Sequence, residues 1–509
     1  MRKVTSCLFF FTMILLLLAG CRQMPGNSAS ESSSSVGTVP VSLTMTDQPP
    51  NGVTVLFFQV SITSASLTPA SGSANVSLLN NNTPIQVDVT QLQALSAFLS
   101  TANVPAGTYN RLSLTFADPQ LVIFNASDQA IASTCALNTV CQLTPTIDNS
   151  AMLAFSSTPF PVTVATNTPL GFLIDFHLNN VIQPDLSVNL GVSNGVTVAE
   201  LPSAAPSRPP QLGFLIGAVQ SVNNSQNQFT LQTADGRTFT IDSNGSTTYD
   251  DFPVSVCAAG SISCLAAGQI VQVHAASVET DGTLLAAQVS YLQAAGAQIV
   301  EGNIVGLSTS NGATVMKLIL HRDPSNNSGL PLGGEASVTI SGSATFSVDA
   351  NGFTIPPGLN FTATSDLFVG QEVQVNVVAG SLNTSSNPTN AGAWGPPRLL
   401  SFSTDSVELE PSQVTGAITA ISSSSSSFTP GNYASLFFTG WPFGGSNLAQ
   451  VNVQTTAQTT YQGFNPDSFS GLTANSMVSV SGWLFPPASS TAPPTLAAET
   501  VTLRSNGLF

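Results

Sequence analysis

Phe229-Thr-Leu-Gln-Thr-Ala-Asp-Gly-Arg-Thr-Phe-Thr-Ile241 is the stretch whose reading decides the fold. Phe229 and Leu231, then Phe239 and Ile241, alternate with threonine and glutamine. That two-residue period belongs to a strand with one buried face. Asp235-Gly236 stands between the two runs as a tight-turn signal. The stretch reads as a β-hairpin, and Thr280-Asp281-Gly282-Thr283 marks a second one.

Working outward, the same segment recurs. Gly217-Ala-Val219, Gly302-Asn-Ile304 and Gly416-Ala-Ile418 each set a glycine two residues before a β-branched residue. A small polar run ending in an aromatic follows each: Ser246-Thr-Thr-Tyr249, Ser343-Ala-Thr-Phe346 and Gln458-Thr-Thr-Tyr461. Each then carries Leu-x-x-(Gly/Asn)-x-x-Val-x-Val, at Leu265–Val273, Leu367–Val375 and Leu472–Val480. Three agreements in one order define an internal repeat over residues 212–293, 297–409 and 412–504. The copies are too long for solenoid units, so each is expected to be a small β domain. Insertions at Asp323–Gly334, Leu382–Pro397 and Phe428–Gly445 set the second and third copies apart.

Residues 38–198 precede the repeats. Val39, Val41, Leu43 and Met45 alternate with small polar residues and proline, which predicts a half-buried strand. A second strand is expected over Val53–Ile62, with a bulge where its phase slips at Phe57-Phe58. Thr90 is placed to cap a short helix with Leu92, Leu95, Phe98 and Leu99 on one face. Leu112, Leu114 and Phe116 mark another strand, as does Phe172–His177. A proline-rich linker over 199–211 leads into the first repeat.

Only 7% of the residues are charged, against about 25% in ordinary soluble domains. Serine, threonine, asparagine and glutamine take over the surface, which disfavours long exposed helices and suits strands. The fold class is therefore all-β. Net charge is −16 with no basic stripe, so nucleic acid is excluded as a partner class.

Arg2 and Lys3, an apolar run over Leu8–Ala19 and then Leu18-Ala-Gly-Cys21 compose a secretory signal peptide over residues 1–20. With the cysteine just after the small residues, it resembles the bacterial lipobox. That resemblance implies cleavage before Cys21, acylation of its thiol and a membrane held through the lipid anchor. Residues 21–37, nearly devoid of apolar side chains, read as a lipidated flexible stalk. Arg22, where an inner-membrane lipoprotein often has aspartate, points to the outer membrane or cell surface. In such an oxidising compartment the close pairs Cys135/Cys141 and Cys257/Cys264 are expected to be local disulfides.

Two further resemblances can be named. Leu43-Thr-Met-Thr-Asp47, Val87-Asp-Val-Thr-Gln-Leu92, Pro105-Ala-Gly-Thr-Tyr109 and Ile174-Asp-Phe176 are similar to the bacterial domain of unknown function 4382, over about 38–198. It implies an exported β-rich domain, expected here as sandwich-like. The first repeat resembles the domain of unknown function 5666 through Gly217-Ala-Val219, Phe229-Thr-Leu231, Gly268–Val273 and Asp281–Ala286. That resemblance leads us to expect three small OB-like β-barrels in a row.

Residues that could carry chemistry are sparse. Asp175 and His177 share a strand face, and no third ligand can be named. Asp250-Asp251 could join a calcium shell, yet no acidic loop surrounds them. No metal or cofactor is assigned and no catalytic residue is named. His274 is expected to face solvent if Val271 and Val273 point inward. Trp441, in the third repeat's glycine-rich insertion, is the expected ligand contact. The expected function is a tethered, non-catalytic string of β domains that binds a cell-envelope polysaccharide or protein, or builds the envelope. The alternatives are an envelope glycan-processing enzyme and a periplasmic assembly factor.

Overall fold

A computed structural model describes residues 38–48, 54–79, 84–92, 97–124, 140–148, 151–183, 186–201, 212–250, 252–253, 257, 260–295, 298–323, 332–350, 352–386, 398–431, 442–443, 446–447, 451–489 and 492–504. Among them the chain is all-β, with one short α-helix, Leu178–Val181, and brief 3-10 turns. None of these helices is long and apolar enough to cross a membrane.

The amino-terminal module is built from two sheets. In one, β1 (Thr38–Gln48) pairs antiparallel with β4 (Ala97–Pro105) and parallel with β7 (Leu170–His177), which pairs with β8 (Val196–Leu201). The other is centred on β2 (Thr54–Pro69) and β5 (Gly107–Phe124), with β3 (Ile85–Asp88) on β2 and β6 (Val140–Leu143) on β5. Their apolar faces meet in one core, where Phe116 of β5 sits edge-on to Phe176 of β7 at 5.4 Å. The bulge expected near Phe57 is present, as a register shift between Val55 and Phe57.

Two local expectations give way. Val89–Leu92 is a single 3-10 turn, and Phe98 and Leu99 lie on β4 rather than on a helix. The Asp88 carboxylate, not Thr90, organises this turn by accepting from the Thr90 amide (3.1 Å) and hydroxyl (2.5 Å). Leu95 lies outside the described residues. β1 is buried on both faces, because the chain entering the first repeat covers its polar side. Thr44 Oγ1 there donates to the Leu212 carbonyl at 3.2 Å.

In the first repeat, β9 (Phe214–Asn223), β10 (Gln228–Thr233), β11 (Thr238–Asp242), β12 (Ile270–Val278) and β13 (Leu284–Gln293) close a five-stranded barrel. The pairings run β9–β10–β11–β13–β12 and back to β9, with only β11–β13 parallel. Phe229, Leu231, Phe239 and Ile241 fill its interior, as their alternation requires. The turn is wider than a two-residue hairpin loop: Thr233 N donates to the Arg237 carbonyl, and only Gly236 takes a positive φ, 83°.

The same circuit of pairings recurs. It links β14 (Ile299–Ser310), β15 (Ala313–Arg322), β16 (Glu335–Val348), β17 (Glu372–Asn376) and the first half of β18 (Arg398–Ser422). It returns in the second half of β18 with β19 (Ser427–Gly431), β20 (Asn452–Gln454), β21 (Met477–Phe485) and β22 (Thr495–Arg504). β18 is one strand shared by two circuits, so it runs straight through the expected boundary near residues 409–412.

The recurring sequence signature has a geometric cause. Gly268, Gly370 and Asn475 all have positive φ, which the (Gly/Asn) position must tolerate. Each donates its amide to the carbonyl of the β-branched signature residue, Val219, Ile304 or Ile418. Each of those residues returns a bond to the next carbonyl along, that of Gln269, Gln371 or Ser476. Every first strand is bulged just beyond, at Val219/Ser221, Ile304/Gly306 and Ile418/Ala420.

The modules do not form a string. Residues 37–509 make one compact unit, and a single apolar cluster runs through the amino-terminal module and the later repeats. Side chains cross between segments: Gln413 Nε2 donates to the Gln91 carbonyl (2.9 Å), and Trp483 Nε1 to the Asp349 carbonyl (2.7 Å).

Candidate functional site

The feature that stands out in so weakly charged a chain is a buried ionic cluster on one outer face of the second repeat. Its strands set the positions. Glu301 on β14 is registered opposite both Arg322 on β15 and Gln374 on β17, and Gln374 opposite Glu408 on β18. One step along, Asn303, Glu372 and Glu410 form a second row. A face of this composition would ordinarily be solvated. Here Glu301, Asn303 and Glu372 are buried.

A bulge aims the cations. Glu301 pairs with Arg322 and Gly302 with Leu320, so His321 is the extra residue. Consecutive side chains can thereby engage one cluster, a use to which bulges are often put. Arg322 Nη1 lies 3.0 Å from Glu301 Oε2. His321 Nδ1 lies 2.7 Å from Asp88 Oδ2 of the amino-terminal module, with the His321 side chain 0% and Asp88 8% exposed. Phe57 packs on the imidazole at 5.8 Å. Asn303 Nδ2 donates to Glu372 Oε2.

Five carboxylates and two cations share this space, and burial and neighbouring charge together set how His321, Glu372, Glu408 and Glu410 titrate. Burial pulls His321 down, but the Asp88 and Glu372 charges outweigh it and leave the imidazole above its ordinary value. Burial raises Glu372 and Glu408, and raises Glu410 well above the usual carboxylate range with Asp349 and Glu301 adding to the effect. Desolvation of an anion acts in this direction. Glu372, Glu408 and Glu410 therefore give up their protons at higher pH than the same groups would in water.

Beside the cluster lies a cleft of about 560 Å³ at the meeting of the amino-terminal module with the first and second repeats. Asp88, His321 and Arg322 line one side. Arg237 and Asp235, from the hairpin turn of the first repeat, line another, with Arg237 Nε 2.7 Å from Asp235 Oδ2. Arg237 Nη1 also donates to the Leu99 carbonyl and so ties the turn to β4. Phe214, at the start of β9, lies under the Arg322 guanidinium at 5.6 Å.

The residues singled out from sequence are dispersed. His177 Nε2 lies 3.5 Å from Asp175 Oδ2, the strand pair expected of them. Among the described residues no group of three or more His, Cys, Asp or Glu is arranged to hold a metal ion. Asp250 Oδ2 accepts from Thr248 Oγ1 at 3.0 Å, and Asp251 lies outside the described residues. His274 does not face open solvent. Phe214 covers it at 6.3 Å, Gln272 bonds its ring at 2.8 Å, and burial followed by the Arg322 charge lowers its pKa to about 4. Cys257 and Cys264 form a disulfide. Cys141 is buried on β6, while Cys135, Cys21 and Trp441 lie outside the described residues.

The cluster and cleft were missed from sequence. Signals existed in Val87-Asp88-Val89 and in His321-Arg322, the one adjacent His-Arg pair in the chain. What they lacked was any cue that separate modules would meet there.

Fold and junction together define an all-β protein in which a two-sheet module packs on closed five-stranded barrels. Residues 38–191 match the family described as Domain of unknown function (DUF4382), and residues 216–290 match Domain of unknown function (DUF5666). A comparison with curated proteins finds no match.

Proposed function

We propose that this chain is a membrane-anchored extracytoplasmic lipoprotein that acts by binding, with the junction cleft as its ligand site and no catalysis of its own. Leu18-Ala-Gly-Cys21 supports the anchor. The observation that carries the binding role is the state of the cleft's ionisable groups. Arg237 is held by Asp235, Arg322 by Glu301 and His321 by Asp88, so the charge of each cation is balanced within a structural pair. An Asp–His pair is also part of hydrolytic triads, where the second ring nitrogen must reach the nucleophile. His321 Nε2 is fully buried, so it reaches neither substrate nor nucleophile. The pair fixes the walls of the cleft.

The test of the anchor is Cys21→Ser expressed beside wild type. Wild type is expected to incorporate labelled fatty acid and to partition with detergent, and the variant to do neither. Equal labelling of both would overturn the lipoprotein reading.

A further inference from the structure

We propose that the junction cleft binds a neutral, hydroxyl-rich ligand, a segment of uncharged polysaccharide. The inference rests on the cleft being the ligand site, and it adds the ligand's chemical class.

The charges rule out the commonest alternatives. An anionic ligand needs cations whose charge is not already balanced. The three cations that line the cleft are each within 3.0 Å of a carboxylate oxygen, at Asp235, Asp88 and Glu301. Displacing a carboxylate from such a pair would strand a buried charge, which costs more than a surface contact returns. A metal ion needs convergent ligands, and none of the described residues are so grouped.

Apart from Asp323 and Thr233, what remains on the walls is amide and apolar surface. Gln59, Gln86, Gln91 and Gln120 all line the cleft. A glutamine amide both donates and accepts, which matches a hydroxyl group in either role. Gln59 is buried and its Nε2 stands 3.5 Å from Oε1 of the half-buried Gln120, so Gln120 presents the reachable amide of the two. Gln86 is exposed on β3, and Gln91 is half-buried with its carbonyl tied to Gln413. Ala97, Phe214 and Ile216 add half-buried apolar surface against which the C–H face of a sugar ring can lie. The volume is that of a small-ligand site, with a few polar groups set in an apolar frame. The cleft is open rather than sealed, which suits a segment of a longer chain.

The test uses the full lipidated protein in detergent, titrated with cellohexaose, maltohexaose, mannohexaose and chitohexaose, and with heparin and oligogalacturonate as charged probes. At least one neutral hexasaccharide is expected to bind. Gln86→Ala and Gln120→Ala are each expected to weaken that binding at least tenfold, the first with the melting temperature unchanged. The Gln86 side chain is exposed, so that variant keeps its fold, while Gln120→Ala removes the partner of the buried Gln59 amide and is expected to lower the melting temperature slightly. Binding only to the charged probes, binding to none, or neutral binding that survives both substitutions would overturn the proposal. Fatty-acid labelling of the same preparation reports separately on the anchor. A correctly labelled protein that binds no neutral glycan sinks the ligand class and leaves the anchor standing.

Discussion

His321 and Asp88 are 233 positions apart in sequence, yet His321 Nδ1 and Asp88 Oδ2 lie 2.7 Å apart in the structure, the histidine side chain fully buried and the aspartate nearly so. The bond joins the amino-terminal module to the second repeat. It also explains why Asp88 sits at the end of a strand. Its Oδ1 organises the turn over Val89–Leu92 while its Oδ2 reaches the histidine. One carboxylate thus serves local structure and the junction together.

The junction makes stability depend on pH in a way that can be signed. His321 has a folded pKa above its ordinary value, so its contribution is full below about pH 6.5 and is lost as pH rises through the raised value. Glu372, Glu408 and Glu410 are raised from 4.5, so the fold binds more protons than the unfolded chain above that pH. Their contribution also falls as pH rises. His274 acts oppositely: with its pKa lowered from 6.5 to about 4, it costs stability as pH falls through that window. Melting temperature is expected to peak in mild acid and to decline toward pH 9. Glu410→Gln should flatten the alkaline decline, and His274→Gln should gain on wild type between pH 6.5 and 4. Thermal melts across pH 4–9 measure both, and a melting temperature that climbs steadily to pH 9 would refute the sign.

The repeat glycines give a second test. A Cβ on Gly217 would strike the Gln232 carbonyl oxygen, and one on Gly302 the Ile319 carbonyl oxygen, each across the first strand pair of its barrel. Backbone cannot move aside cheaply, so each alanine substitution should cost about 1–3 kcal/mol. Gly342 on β16 has nothing within 4 Å of the same position, and Gly342→Ala should stay within about 0.5 kcal/mol of wild type. Denaturant unfolding of the three variants decides it. Equal effects at all three would mean that the signature glycines are not steric requirements.

The local rules read well from sequence where the period was strict. Phe229, Leu231, Phe239 and Ile241 fall inside a barrel, and the three Gly/Asn signature positions fall on equivalent turns. Failures came where tertiary contact overrode a local pattern. Phe98 and Leu99 suited a helical face, but β4 gains a backbone ladder with β1, and the two side chains part to different cores. Thr44 looked solvent-facing because nothing local shows that Leu212 will cover it. The ionic cluster was illegible for the same reason. Glu301, Glu372 and Glu410 alternate with core residues as solvated positions do, and nothing local shows that Glu301 and Glu372 will be buried.

The bond between His321 and Asp88 joins the modules into one body and thereby shapes the cleft. Hydrogen exchange at β3 and β15, compared between wild type and His321→Gln, tests it most directly. In wild type both strands should be protected to a similar extent. Loss of the histidine leaves Asp88 as a buried, unpaired charge, a change worth about 3–5 kcal/mol. Exchange should therefore rise on Ile85–Asp88 of the amino-terminal module as well as on Ala313–Arg322, which carries the substitution. Faster exchange confined to Ala313–Arg322, with Ile85–Asp88 unchanged, would contradict the account.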